Sequence, residues 1–431
     1  MQIAGRTLLI FACLATVTQA EVHSLTLQQA LALAARQNPD VLLARLDALH
    51  AQAGVDVARD PFSIRFAARS DAVYTNGYPN NVNGHSPSLI AGQVDMALYD
   101  RPRRYQLAAA REQVTVYAET ARGKQDEVAY RVASLFLDAR KAEEAAELAA
   151  RQVAAFTQIA GIVDNQLAEG RVLPVDAHRA QLDVTAARQR QQASELDEHL
   201  PEMLLATALG FSGNDRVHPA AAPAAIVLPE LREDKAIDTA LANNKDLLSL
   251  QAAALAKRIE LQSYKKTRVP QVNLIAQYSL VQKSTYESYF PANAVQRNNG
   301  QIGADFILPV LVGSAPVGRL AQTRIDLDKL QLQIYELQNR ISANTHRAYQ
   351  QLKKATESLD LARDQADLAA GELSLESSRA SEGHAGVADI DRAHLSRNTR
   401  ETLIQQAEVD VEGAKLEILH QLGEVFPTLS R

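Results

Sequence analysis

Apolar residues recur at every seventh position along two long tracts of the chain. The first tract has nine such positions, namely Leu107, Val114, Ala121, Val128, Leu135, Ala142, Ala149, Phe156 and Val163. The second has eight: Leu320, Leu327, Ile334, Ile341, Ala348, Ala355, Ala362 and Ala369. A seven-residue period held over this length is typical of coiled-coil helices. Such helices of about 60 residues would each extend about 90 Å.

The positions of the prolines agree with two long helices. The chain has 15 prolines, but none lies between Pro102 and Pro174 or between Pro316 and Pro427. Proline interrupts a helix because it has no amide hydrogen and its ring clashes with the preceding turn. Each proline-free tract can therefore hold one long helix.

The two tracts belong to an internal duplication. Asp389 follows Asp176 by 213 residues, and the same offset relates Leu320 to Leu107, while upstream an offset of about 206 relates Asn244 to Asn38. We predict a first structural repeat at 21–210, an extended linker with three prolines at 211–231, and a second repeat at 232–431. Each repeat would contain short helices, a β-hairpin, a long helix and a returning helix, with helix-hairpin tips near 170–176 and 383–389.

Between the helices the pattern changes to a period of two. In residues 62–99 and 272–308, apolar side chains such as Phe66, Val94 and Leu274 alternate with polar ones such as Arg65 and Gln93. Loops rich in Asn, Gly, Pro and Ser divide each segment. Each segment therefore predicts a β-hairpin with one apolar and one polar face.

Strands of about ten residues with one apolar face are typical of membrane β-barrels. The competing interpretation is a hairpin whose apolar face packs on a soluble core. Four strands cannot close a barrel, because about eight are needed. A barrel would therefore be shared, with eight strands from two copies or twelve from three.

Charge and the N-terminal residues narrow the class of protein. The 431 residues include 45 Lys and Arg against 51 Asp and Glu, a net charge of −6, so a nucleic-acid partner is not expected. Residues 1–20, with Arg6 and an apolar run, indicate a cleavable signal peptide that ends at Ala20. Lipidation of Cys13 is the competing interpretation, and its place inside the apolar run disfavours it.

The sequence contains no enzyme or cofactor motif. The zincin, P-loop and nucleophile-elbow patterns are all absent. His346, His384, His394 and His420 lack metal-ligand spacing. We therefore predict no catalysis, no cofactor and no bound metal.

Taken in chain order, these features resemble the TolC-like outer-membrane efflux and secretion channels. The resemblance includes prolines where helix passes to strand and two glycine-containing turns, each followed by Arg-Ala-x-Leu. It implies a mainly α fold with a β-barrel part, in which a homotrimer builds a twelve-stranded barrel in the outer membrane and a twelve-helix periplasmic tunnel. It also implies a passive exit duct of a tripartite efflux or type I secretion system, which docks a periplasmic adaptor (a membrane fusion protein) and an inner-membrane pump.

The resemblance implies roles for four groups of residues at the tips, in the strands and at the helix–strand junctions. The periplasmic aperture would be ringed by Asp176, Asp389 and Asp391. The adaptor-docking tips would comprise Gly170, Arg171, Val172, Leu173, Gly383, His384 and Val387. The barrel lumen would be lined by Arg65, Arg69, Asp71, Asp95 and Asp305. The helix–strand junctions would be Pro61, Pro102, Pro270 and Pro309.

Two of these groups also have a simpler interpretation. Asp176 and Asp389 lie at predicted helix starts, where an acid favours the positive end of the helix dipole, and this is compatible with an aperture role. Charged residues on the strands could be ordinary solvated charges on a soluble sheet. The competing function is accordingly a soluble periplasmic coiled-coil scaffold or adhesion protein without channel activity.

Overall fold

The structure, a computed structural model, describes residues 21–70, 88–220, 226–229, 232–281, 296–382 and 386–430. Its helices are α1 (Leu27–Gln37), α2 (Pro39–Arg59), α3 (Arg101–Ala168), α4 (Pro174–Leu209), α5 (Glu233–Asn243), α6 (Lys245–Lys265), α7 (Ser314–Ser381), α8 (Val387–Leu422) and α9 (Val425–Leu429). Its strands are β1 (Val22–Leu25), β2 (Arg65–Arg69), β3 (Ser88–Tyr99), β4 (Arg216–Pro219), β5 (Gln271–Val281) and β6 (Asn298–Ile307). The predicted fold class, mainly α with strand hairpins between long helices, is confirmed. The predicted signal peptide lies outside the described residues.

The two longest helices are those that the seven-residue pattern predicts. Helices α3 and α7 have 68 residues each, and the helices that return from them, α4 and α8, have 36 each. All positions of the two seven-residue series are buried or half-buried in the structure. The apolar stripe therefore stabilises these helices by packing rather than by intrinsic propensity.

The chain forms two compact units that do not follow the order of the sequence. One unit comprises Met1–Val41, Gln125–Glu233 and Thr345–Arg431, and the other comprises Leu42–Lys124 and Asp234–Asn344. We call them the first unit and the second unit. Each unit combines parts of both predicted repeats, because the unit boundaries fall inside helices rather than in the 211–231 linker.

The main core of the first unit joins helices that are far apart in the chain. Its fully buried side chains include Leu31, Val132, Phe136, Leu205, Leu209 and Leu419. The buried side-chain amide of Asn38 links α2 and α4 by hydrogen bonds beside this core. Its Oδ1 accepts the amides of Asp40 and Val41 and so caps α2, and its Nδ2 donates to the Ala208 carbonyl oxygen at 2.7 Å.

A short two-stranded ribbon completes the first unit. Strands β1 and β4 pair in parallel, with Val22 opposite Arg216 and Leu25 opposite Pro219. Residues 216–219 of the predicted extended linker at 211–231 thus form a strand. Residues 226–229 lack regular structure, although Ile226 is buried.

The second unit holds a four-stranded antiparallel sheet. The strand order is β2-β3-β5-β6, so the two predicted hairpins pair with each other through β3 and β5. Helix α3 follows β3 and helix α6 precedes β5, and a hydrogen bond joins these two helices. Asn244 caps α6 by accepting the Leu247 amide, and Ser263 near the end of α6 donates to the Pro102 carbonyl oxygen at 3.0 Å. Among the described helices, none is both long and apolar enough to cross a lipid bilayer.

Candidate functional site

The turn between α3 and α4 depends on one glycine. Gly170 has φ +74°, a left-handed conformation that side-chain-bearing residues rarely adopt. The Gly170 and Arg171 amides donate to the carbonyl oxygens of Leu167 and Gln166, which ends α3. Pro174 then begins α4, where its fixed φ suits the first helical turn.

This turn exposes apolar side chains. Leu173 and Val175 are 65% and 60% exposed, whereas Val172 packs against the core of the helix hairpin. Arg171 is also exposed and pairs with Glu169 at 3.3 Å. Among the predicted docking residues, Leu173 and Arg171 are therefore exposed at the surface, whereas Val172 is partly buried between the two helices.

The corresponding turn between α7 and α8 is described only in part. Gly383 and His384 lie outside the described residues, and the side chain of Val387 does as well, although α8 begins at that residue. Their predicted docking role stays a prediction.

Two of the three predicted aperture acids act as helix caps. The Asp176 carboxylate accepts the Leu173 amide at 3.3 Å, and the Asp389 carboxylate accepts the Gly386 amide at 3.2 Å. Asp389 also pairs with Arg392, one turn further along α8, at 3.3 Å. Each acid thus satisfies a backbone amide that the helix leaves unpaired.

The third acid, Asp391, has no such role. Its Oδ1 is buried and has no hydrogen-bond partner among the described residues. Burial, and secondarily the negative charge of Asp183 on α4, raises the pKa of Asp391 to about 6. Its charge therefore changes near neutral pH rather than in the usual acidic range.

The helix starts enclose a small cavity of about 230 Å³. Its lining includes Asp176, Arg179, Gly386 and Asp391. The structure thus brings two of the three predicted aperture acids to one cavity. Arg179 is a lining residue that sequence analysis treated only as part of the duplicated Arg-Ala-x-Leu pattern.

The polar face of the strand sheet carries most of the predicted lumen residues. Arg65 lies opposite Asp95 on the neighbouring strand and donates to its Oδ2 through two guanidinium nitrogens. Gln277 and Gln301 form a cross-strand hydrogen bond of 3.1 Å on the same face. Arg69 is exposed, Asp305 is half-buried opposite Asn273, and Asp71 lies outside the described residues.

The opposite face of the same sheet is apolar. Phe66, Val94, Ala276 and Ile302 form one row across all four strands. Phe66 and Ile302 are 71% and 81% exposed. The Phe66 ring lies over Gly92, where a Cβ would come within 3.1 Å of the ring. A side chain at residue 92 would crowd the Phe66 ring, so glycine at this position allows the ring to lie over the strand.

The four predicted junction prolines lie next to elements of the second unit. Pro61 lies in the 3-10 turn Asp60–Phe62 between α2 and β2, and Pro102 is the second residue of α3. Pro270 directly precedes β5, and Pro309 lies between β6 and α7.

Sequence analysis missed a residue at one of these junctions. Asp100 is buried, accepts the Arg103 amide at 3.0 Å and pairs with the Arg103 guanidinium at 3.2 Å, so it caps α3. The signal was an acid immediately before a helix start.

Comparisons with known proteins agree with this arrangement. No protein-family model matches the chain. The outer membrane efflux protein BepC of Brucella suis is 21% identical over 336 residues, which cover 77% of this chain and 71% of BepC. The channel protein CusC superposes with a TM-score of 0.75 at 13% identity over 92% of both chains. The outer membrane protein VceC of Vibrio cholerae superposes with a TM-score of 0.73 at 14% identity, over 92% of this chain and 96% of VceC.

The chain has the fold of the TolC-like outer-membrane channels. The resemblance found in the sequence is thereby confirmed, since each superposition covers 92% of this chain.

Proposed function

We propose that this chain is the outer-membrane exit duct of a tripartite efflux or type I secretion system. It is a passive conduit that a periplasmic adaptor and an inner-membrane pump open by docking. The protein lies in the outer membrane with a periplasmic helical region, and residues 1–20 are the cleaved export signal. The fold and the outer-membrane relatives BepC and VceC support this proposal.

The observation that carries the proposal is the two-faced sheet. A row of apolar side chains runs across one face and ends in the exposed Phe66 and Ile302, while Arg65, Asp95 and Gln277 occupy the other face. In water, exposed Phe and Ile side chains forgo about 1.5–3 kcal/mol each of burial free energy. Against lipid the same face is favourable, and the polar face then lines an aqueous interior.

The sheet also has two open edges. Among the described strands, β2 pairs only with β3, and β6 pairs only with β5. Unpaired strand edges cannot face lipid, because their backbone polar groups would be unsatisfied. Pairing β2 of one copy with β6 of the next satisfies both edges. Three copies give a twelve-stranded barrel, which is the state that the family resemblance implies.

The ends of the helix hairpins supply the periplasmic aperture in this proposal. Copies of Asp176, Asp389 and Asp391 from three chains surround the opening and favour cations. Asp391 is the acid that caps no helix, and its buried Oδ1 has no hydrogen-bond partner among the described residues. The exposed tip around Leu173 and Arg171 is the surface that the adaptor contacts.

The mass of the detergent-extracted particle tests the proposal. Outer membranes of the producing cell are solubilised, and the protein mass is measured by light scattering after purification. We expect a particle of three chains, which conducts ions in planar bilayers. A monomer or dimer in the periplasmic fraction would contradict the channel and favour the soluble scaffold.

A lipid-quenching experiment tests the two faces directly. Single cysteines at Phe66 and Val94 carry a fluorophore in one set of proteins, and cysteines at Arg65 and Gln93 carry it in the matched set. The neighbours alternate between faces in the structure. We expect brominated lipid to quench only the Phe66 and Val94 probes. Equal quenching at all four positions would refute the lipid-facing assignment.

A further inference from the structure

A cluster of side chains in the first unit has no part in the proposed duct. Glu198 and Glu202 lie one turn apart on α4, and His218 lies on β4. One ligand-capable atom from each of the three lies within 4.8 Å of the others. Nδ1 of His218 is 2.9 Å from a Glu202 oxygen and 3.9 Å from a Glu198 oxygen.

We propose that Glu198, Glu202 and His218 form a binding site for a divalent transition-metal cation such as Zn²⁺. Two carboxylates and one imidazole are a ligand set that Zn²⁺ accepts, with one position left for water. A central ion would stand about 2.0–2.2 Å from each ligand atom. To reach that geometry, the Glu198 carboxylate would move closer to His218 and the ion would replace the hydrogen bond between His218 and Glu202.

The histidine is oriented as a metal ligand. Its Nδ1 faces the two carboxylates, and its other ring nitrogen, Nε2, lies 3.4 Å from an oxygen of Glu143 on α3. The second Glu143 oxygen is held by Arg140 at 2.8 Å. A carboxylate behind a ligating histidine fixes the ring and its tautomer in many metal sites. Here Glu143 supplies that support from a different helix.

The charges around the cluster favour a cation. Three carboxylates, on Glu143, Glu198 and Glu202, meet here, and the Glu202 side chain is only 5% exposed. Arg216 lies 3.7 Å from Oε2 of Glu202, the oxygen that does not face His218, and also contacts His199. Arg140 and Arg216 supply two positive charges against these three carboxylates, so an excess of negative charge remains beside His218.

The position of the site gives it a structural consequence. Glu198 and Glu202 belong to the returning helix α4, whereas His218 belongs to the β1–β4 ribbon. A bound ion would therefore tie the ribbon to the helix across the turn that follows α4. This proposal does not depend on channel activity.

Calorimetric titration of the purified full-length protein with zinc chloride, after removal of metals by a chelator, tests the site. We expect one tight site per chain in the wild type, and its loss in His218→Gln and Glu198→Gln. His346→Gln is the matched control, because it removes another histidine that pairs with a glutamate, Glu233, in the same unit. Zinc should bind this control as it binds the wild type.

A second measurement separates binding from folding. Zinc should raise the thermal unfolding midpoint of the wild type and of His346→Gln but not that of His218→Gln. The supporting variant Glu143→Gln should bind zinc about 10–100-fold more weakly while keeping one site. An unchanged site in His218→Gln, or a wild type that does not bind zinc in large excess, would overturn the proposal.

Discussion

The starts of α4 and α8 share a cap but differ in the residues around it. In both, an acid accepts a backbone amide three residues earlier, through Asp176 in one and Asp389 in the other. Two residues further on, α4 has the exposed His178, whereas α8 has the half-buried Asp391. The capping acids are explained by helix formation alone. Asp391, whose Oδ1 has no hydrogen-bond partner among the described residues, is therefore the more informative acid about function.

A second difference lies just before the helices. With the offset of 213 residues, Leu173 before α4 corresponds to Gly386 before α8. Leu173 is exposed, so only the first helix start presents a large apolar side chain at this position. This difference indicates that the two tips offer unlike surfaces to a partner.

The largest effect is expected from Leu173→Asp. A charge at this exposed apolar tip should abolish docking of the adaptor, because a desolvated unpaired carboxylate in an interface is costly. Export by the producing cell should fall to the level of a strain without the protein, while the particle keeps its mass. Val387→Asp at the second tip should act in the same direction.

Leu173→Met is the matched control for this substitution, since it retains an apolar side chain. Export should then remain near the wild-type level. Normal export by Leu173→Asp would show that the first tip does not carry the contact.

A smaller effect, with a defined pH dependence, is expected from Asp391→Asn. The pKa of Asp391 is raised to about 6 in the folded protein, so its ionised form destabilises the fold at pH values above about 6 and has no effect below about 4. The full shift corresponds to about 3 kcal/mol, which solvent exposure reduces to about 1–2 kcal/mol. Asp391→Asn should therefore raise the free energy of unfolding at pH 7.5 but not at pH 4.

Chemical unfolding of the solubilised protein at both pH values measures this effect. In planar bilayers we expect the cation preference of the wild type to change between pH 5 and 7, and this change should be lost in the same variant. Equal stability of the variant and the wild type at pH 7.5 would contradict the inferred cost of the Asp391 charge.

The smallest effects are expected at the caps themselves. Asp176→Ala and Asp389→Ala each remove an acid that accepts a backbone amide in the first turn of a helix, and should lower the free energy of unfolding by about 0.3–1 kcal/mol. They should thus act in the opposite direction to Asp391→Asn. Asp389→Ala should in addition alter conductance and cation preference, and unchanged recordings would remove Asp389 from the constriction.

Long repeated patterns made the helices and strands predictable. The apolar series from Leu107 to Val163 repeats often enough to define a helix without knowledge of its partners, and the alternation around Phe66 and Val94 defines the faces of the sheet. The glycine at position 170 and the proline at 174 likewise have local reasons for their positions, because the turn needs a positive φ and a helix start tolerates proline.

Features that depend on distant partners were not predictable in the same way. Strands β1 and β4 have four residues each, too short for a clear alternation, and they pair across almost the whole first half of the chain. His218 has no nearby histidine or cysteine in sequence, so spacing did not reveal its glutamate neighbours on α4. The exposure of Leu173 and the partial burial of Asp391 follow from how the helices pack.

The pairing of β1 with β4 also constrains the order in which the chain can fold. Val22 cannot find its partner Arg216 until nearly two hundred residues have followed it, and closing so long a loop is entropically costly. Contacts of this sequence separation slow folding. During synthesis the first strand therefore stays unpaired until residues 216–219 have been made, so the ribbon can form only after the first half of the chain is complete.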